Sequence, residues 1–282
     1  MTGGFARMTA AALAAVMLAG GCDQVREIRE MGWPMEPGST VSVSSFNGEI
    51  MLTEADTDSI LVTATLSSWE GRSSLEDVEI VFTPGPEASL AARGKNGNVS
   101  AGVSLAVTVP GGTGLDRVET SNGSITVEGL HGDAELSTSN GAITVTGFKG
   151  AIVASSSNGD ITITRHGGRV SAETSNGDIV IEGEGALLTG ASTSNGQIVA
   201  ALSQVPGSGL VLETSNAGIT VTVSGDFPAE FRMDTSNGSV IVSGEGFASI
   251  DLDKDEGIAI IGDGGPVVIL DTSNGDITLT RL

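Results

Sequence analysis

The chain has 282 residues, with 13 Lys and Arg against 35 Asp and Glu for a formal net charge of -22, and only 3% of its residues are aromatic, none of them tyrosine. Such a surface repels nucleic-acid phosphates and offers few rings on which bases could stack, so no nucleic-acid partner is expected. A single cysteine rules out a disulfide within the chain.

Residues 1–21 read as an export signal: Arg7, an apolar run from Met8 to Leu18, then Ala19-Gly20-Gly21. The run is too short to span a bilayer. Cys22 follows directly on these small residues, and the arrangement resembles a bacterial lipoprotein signal, although Ala19 stands where leucine is commonest. That resemblance implies cleavage before Cys22 and a diacylglycerol on its thiol, each buried methylene adding about 0.8 kcal/mol of anchoring. The implied address is the bacterial cell envelope, at its periplasmic face or the cell surface. The residues alone leave open an ordinary secretory signal followed by an incidental thiol.

Residues 23–40 hold charges, Trp33, Pro34 and Pro37, a composition that suits a tether with one short helical turn over Val25 to Met31. From Val41 the pattern alternates with period two, as in Val41 and Val43, Ile60 and Val62, and Val78, Ile80 and Phe82. Phe46-Asn47-Gly48-Glu49-Ile50 and Lys95-Asn96-Gly97-Asn98-Val99 anticipate a phrase that becomes regular later. Pro110-Gly111-Gly112 ends this part, because proline cannot donate to a ladder. Residues 41–112 are expected to form an irregular β region that covers the first coil of an array over residues 113–282.

In that array the phrase Thr-Ser-Asn-Gly-x-Ile-x-Val returns, with asparagines at Asn122, Asn140, Asn158, Asn176, Asn195, Asn216, Asn237 and Asn274, separated by 18, 18, 18, 19, 21, 21 and 37 residues. A degenerate copy, Asp255-Glu256-Gly257-Ile258, divides the last interval. A period near 20 residues marks a stacked architecture in which each unit borrows its core from its neighbours. Asn-Gly between alternating strands is also a hairpin signal. A meander of such hairpins, however, would need far more strands than the ~10 at which open sheets usually curl or split, and no aromatic girdles support a membrane barrel. The expected fold is all-β, a single-stranded β-solenoid (β-helix-like) of about nine coils of 18–21 residues. Its asparagines should stack as a turn ladder, each amide bonding to the next, with left-handed backbone tolerated by asparagine and the corner relieved by glycine. A second corner recurs at Gly129-Leu130-His131-Gly132, Gly147-Phe148-Lys149-Gly150 and His166-Gly167-Gly168.

These units, behind a strand ending in Val109-Pro110-Gly111-Gly112, resemble the bacterial β-strand-repeat proteins named putative adhesins, a domain family of unknown function, over about residues 41–282. The resemblance implies surface binding without a defined ligand, and it supplies no catalytic residue.

The outward parity places Glu119, Glu173, Glu213, Asp234 and Asp271 just before the turns, which makes them the candidate binding face. Asp160, Asp178 and Asp276 follow Asn-Gly pairs, and the first two would lie in adjacent coils where carboxylates could share Ca²⁺. Neighbouring copies break that series, so neither metal nor cofactor is assigned. β-Helices also carry polysaccharide-acting enzymes, which would draw on His131, His166 and the cluster Arg165-His166-Gly167-Gly168-Arg169. That cluster is read as a solvated turn, and no catalytic residue is expected. The functional expectation is a non-enzymatic, lipid-anchored envelope protein that presents an acidic, hydroxyl-rich face to an envelope protein or polysaccharide. Two alternatives stand beside it: an envelope-stress sensor or regulatory scaffold binding a membrane protein through an uncapped end near Leu282, and a polysaccharide-acting β-helix enzyme.

Overall fold

A computed structural model describes Leu13–Ala15 and residues 24–282, except Asn96, Asn98 and Glu184. The expected signal peptide, apart from those three residues, and Cys22 lie outside the described residues. The N-terminal part runs β1 (Leu13–Ala15), β2 (Val25–Pro34), β3 (Thr40–Ser44), β4 (Ile50–Ala55), β5 (Ser59–Ser68), α1 (Arg72–Glu76), β6 (Val78–Thr83), β7 (Glu87–Gly94) and β8 (Gly102–Pro110). Then come β9 (Gly114–Thr120), β10 (Ile125–Glu128), β11 (Ala134–Thr138), β12 (Ile143–Thr146), β13 (Ile152–Ser156), β14 (Ile161–Thr164), β15 (Gly168–Glu173), β16 (Ile179–Glu182), β17 (Ala186–Thr193) and β18 (Ile198–Leu202). The chain ends with β19 (Leu210–Thr214), β20 (Ile219–Val223), β21 (Ala229–Thr235), β22 (Val240–Ser243), β23 (Ser249–Leu252), β24 (Glu256–Ile261), β25 (Val267–Thr272) and β26 (Ile277–Arg281).

These strands build a β-solenoid of two 13-stranded sheets around one apolar core. Each coil gives one strand to each sheet, and successive coils pair in parallel and in register. Ile125, Ile143, Ile161, Ile179, Ile198, Ile219 and Ile277 therefore form one column, all of them fully buried. Burying such a side chain stabilises by roughly 1.5–3 kcal/mol, and no coil could do so alone.

The repeated phrase is explained residue by residue. Its threonine turns inward and caps the carbonyl of the glycine one coil earlier, as Thr138 Oγ1 does to Gly123 O at 2.9 Å and Thr174 Oγ1 to Gly159 O at 3.0 Å. Its asparagine joins an exposed amide ladder in which Asn158 Nδ2 donates to Asn140 Oδ1 at 2.7 Å and Asn176 Nδ2 to Asn158 Oδ1 at 2.8 Å. Its glycine is required by contact, not by left-handed backbone: a Cβ on Gly159 would lie 1.9 Å from Gly141 O, and one on Gly177 would lie 2.1 Å from Gly159 O. Left-handed geometry belongs to the second corner, at Gly129 (φ 74) and Gly147 (φ 70).

The stacking order departs from sequence order at both ends. The coil of β3 and β4 sits directly against β9 and β10, while β7 and β8 lie outside it, and Asn122 Nδ2 bonds to Asn47 Oδ1 at the head of the ladder. The span 41–112 thus contains solenoid coils together with antiparallel covering strands β5 and β6. Residues 25–34 form β2, paired along its length with β5, where a tether and helical turn were expected. Its alternate residues Trp33 and Met31 pack against the core, and Trp33 stacks on Phe82 at 5.2 Å, burial that a spacer would forgo.

At the other end β25 and β26 are inserted between β19 and β20 on one side and β21 and β22 on the other. The expected degenerate coil at Asp255–Ile258 is instead an antiparallel hairpin, β23–β24, laid on β21. Glu256 has no amide to extend the asparagine ladder. The chain reverses at Lys254 and Asp255, and Gly257 leaves room for the Leu252 side chain, whose Cδ2 a Cβ there would approach to 2.5 Å. The edge expected near Leu282 is therefore elsewhere: β26 is flanked on both sides, and at this end of the rod the two sheets terminate in β22 and β23.

Candidate functional site

Residue parity on the sheet containing β9 and β11 sends every second side chain to solvent. Register then aligns Ser44, Glu119, Ser137, Ser155, Glu173, Ser192, Glu213, Asp271, Asp234 and Glu256 in one row across adjacent strands. All five residues of the candidate face are brought together and all are exposed. Over the middle of the rod, hydroxyls separate the carboxylates. At the C-terminal end the inserted coil places Glu213, Asp271, Asp234 and Glu256 on consecutive strands, ~4.8 Å apart. Among the described residues none of these four is in an ion pair. Like charges directly opposite each other destabilise a sheet, so the ladder has a standing preference for an incoming cation.

The row ends beside a hollow of about 310 Å³ lined by Arg232, Asp234, Asp251, Asp253, Glu256 and Ile258, with Ile269 alongside. Sequence reasoning missed this grouping because it followed chain order. The 37-residue interval between Asn237 and Asn274 was the available sign that the last coil returns after an excursion.

The aspartates after Asn-Gly have a structural use. Asp160 Oδ1 accepts from the Asp178 amide at 2.9 Å, Asp178 Oδ1 from the Gln197 amide at 2.7 Å, and Asp276 Oδ1 from the Ser239 amide at 2.9 Å. Among the described residues no group of three or more His, Cys, Asp or Glu side chains is placed to hold a metal ion.

The basic corner divides into an exposed and a buried part. His131 and Lys149 stack in bridged coils, and Arg165 and Arg169 are exposed. His166, expected on a solvated turn, is 1% exposed and occupies the inward position that Phe148 and Leu130 hold one and two coils away. Its ring stacks on Phe148 at 6.0 Å, and neither ring nitrogen has a hydrogen-bond partner among the described residues. Burial lowers its pKa from the ordinary value, with partial opposition from the backbone groups of Arg169, Gly168, Gly150 and Phe148. The imidazole is thus out of a substrate's reach. Arg165 holds a left-handed backbone (φ 50) at the position filled by Gly129 and Gly147 in neighbouring coils.

No helix among the described residues is long and apolar enough to cross a membrane. No family model matches the chain, and no curated protein matches it. Among solved structures, a putative adhesin from Bacteroides fragilis is similar at 9% identity and a TM-score of 0.44, covering 90% of this chain and 97% of that one. A putative cell adhesion protein from Clostridium sporogenes is similar at 12% identity and a TM-score of 0.28, covering 90% of this chain and 100% of its own.

Proposed function

We propose that this chain is a non-enzymatic scaffold of the bacterial cell envelope, held to a membrane by lipid on Cys22, which binds another envelope macromolecule through the acidic and hydroxyl-rich row of its solenoid. The observation that carries the reading is the alignment of Glu119, Glu173, Glu213, Asp271 and Asp234 in one exposed rank on a rigid frame. A row fixed by backbone register presents its charges without the entropy cost of ordering a flexible surface. Against the polysaccharide-enzyme reading stands the burial of His166, which leaves that reading the half-buried His131 as its histidine.

The test uses the mature protein and a variant carrying Glu119→Gln, Glu173→Gln and Glu213→Gln, each incubated with solubilised envelope. Material held by wild type and lost by the variant supports the face, while equal capture by both overturns it. Mass spectrometry of the N-terminal peptide for acyl chains on Cys22 decides the anchor separately.

A further inference from the structure

The C-terminal end of the rod combines three features. β23 is the last strand of its sheet, so among the described residues one of its edges is unpaired. Its pairing with β24 closes with the Asp253 amide donating to Glu256 O at 2.9 Å, and alternation along an antiparallel ladder then directs the amides and carbonyls of Ile250 and Leu252 outward. Those two residues stand opposite the inward-facing Ala259 and Gly257, yet they are 45% and 39% exposed, because the sheet that ends at β22 stops short of them. On the opposite face of the same strand lies Asp251, with Asp253 just beyond its end, beside the carboxylate ladder and the exposed Ile258.

We propose that β23 is a docking edge for an extended basic segment of a partner protein, which adds as a further strand with alternating apolar and Lys or Arg side chains. Strand addition takes its affinity from main-chain hydrogen bonds and its selectivity from alternate side chains. Here the inward set of the added strand would cover Ile250 and Leu252, and the outward set would meet Asp251, Asp253 and Glu256. A second copy of this chain fits less well. The other terminal strand of the same sheet, β6, offers Glu79 where a cation is wanted, and each copy carries a net charge of -22. Charge on an edge strand is a common guard against self-pairing, and here the same charge selects the partner.

This goes beyond the scaffold reading above by assigning the rod a second site with its own ligand class, and it does not depend on the lipid. The test is fluorescence anisotropy with the mature chain and three short peptides: one alternating isoleucine and lysine, one alternating isoleucine and glutamate, and one with the lysines and isoleucines in separate blocks. The alternating basic peptide is expected to bind, more weakly as salt rises, and the other two are not. Asp251→Asn with Asp253→Asn should weaken it by about tenfold. Ile250→Pro, which removes an outward amide while leaving the bonded pairs with β24 intact, should abolish it. Unchanged circular dichroism and melting temperature in both variants would establish that the fold is kept. Glu128→Gln, exposed on β10 of the other sheet, should leave peptide binding unaltered. Equal binding of all three peptides, indifference to the β23 variants, or concentration-dependent self-association in place of peptide binding would overturn the proposal. Loss of envelope capture by the variant changed at Glu119, Glu173 and Glu213, without peptide binding at β23, would leave the scaffold reading standing and this one refuted.

Discussion

Asn274 Nδ2 donates to Asn216 Oδ1 at 3.1 Å across 58 residues of sequence, and Asn237 Nδ2 donates to Asn274 Oδ1 at 3.0 Å, so the last phrase of the chain lies between two earlier ones. Terminal units of a solenoid ordinarily fray, because they contact one neighbour only. The final coil here has two. Amides of β25 are therefore expected to exchange as slowly as those of β13 in the middle of the rod. Leu270→Ala should cost about 2–5 kcal/mol, as a buried leucine does elsewhere. Rapid exchange in β25, or a cost for Leu270→Ala well below that for Leu136→Ala, would show that the insertion is loose.

The glycines of the array predict opposite responses to one methyl group. Gly159→Ala drives its Cβ to 1.9 Å from Gly141 O and forces adjacent coils apart, for an expected loss of about 1–3 kcal/mol. At Gly167 a Cβ meets nothing within 4 Å and the backbone is not left-handed, so Gly167→Ala should be neutral or stabilise by about 0.4–1 kcal/mol. Chemical denaturation of both variants separates contact from conformational freedom as the reason for glycine.

Much of this was legible in the residues, and the rest was hidden for a definite reason. A period of 18 fixes which residues stack, so the isoleucine column and the row through Glu119, Glu173 and Glu213 follow from counting. Counting assumes that neighbours in sequence are neighbours in space. That assumption fails at Glu256, which pairs with Asp234 from the antiparallel strand β24, and at Asn47, which heads a ladder whose next rung is Asn122. His166 was misplaced for a different reason: a polar residue after an arginine and before two glycines reads as a surface turn, although residues 18 and 36 positions earlier in the same register are Phe148 and Leu130. The four-carboxylate ladder could not be read at all without the interposed coil.

Arg165 keeps a left-handed backbone where two earlier coils use glycine, at a cost of about 1–2 kcal/mol for a side-chain-bearing residue. Its guanidinium enters no ion pair among the described residues, so little is recovered. Arg165→Gly is expected to stabilise the protein by about 1 kcal/mol in equilibrium unfolding. A destabilised variant would mean that the arginine makes a contact worth more than its strain.

His166 should make stability depend on pH with a predictable sign. Its ring is buried without a hydrogen-bond partner, which disfavours the imidazolium and lowers the folded-state pKa below the value of about 6.5 expected for the unfolded chain. Between those two values the unfolded chain binds more protons than the folded one. Stability contributed by the neutral ring is thus fully present above pH ~6.5 and is lost progressively as pH falls toward the folded pKa, at no more than about 1.4 kcal/mol per pH unit. His166→Leu restores the residue type found at Leu130 and removes the titrating group. Unfolding free energies of the two proteins, measured from pH 8 down to the acid limit, should therefore differ by a constant above the window, and the difference, variant minus wild type, should rise within it as wild type weakens. Parallel curves throughout would mean that the imidazole is protonated as readily in the folded protein as in the unfolded one.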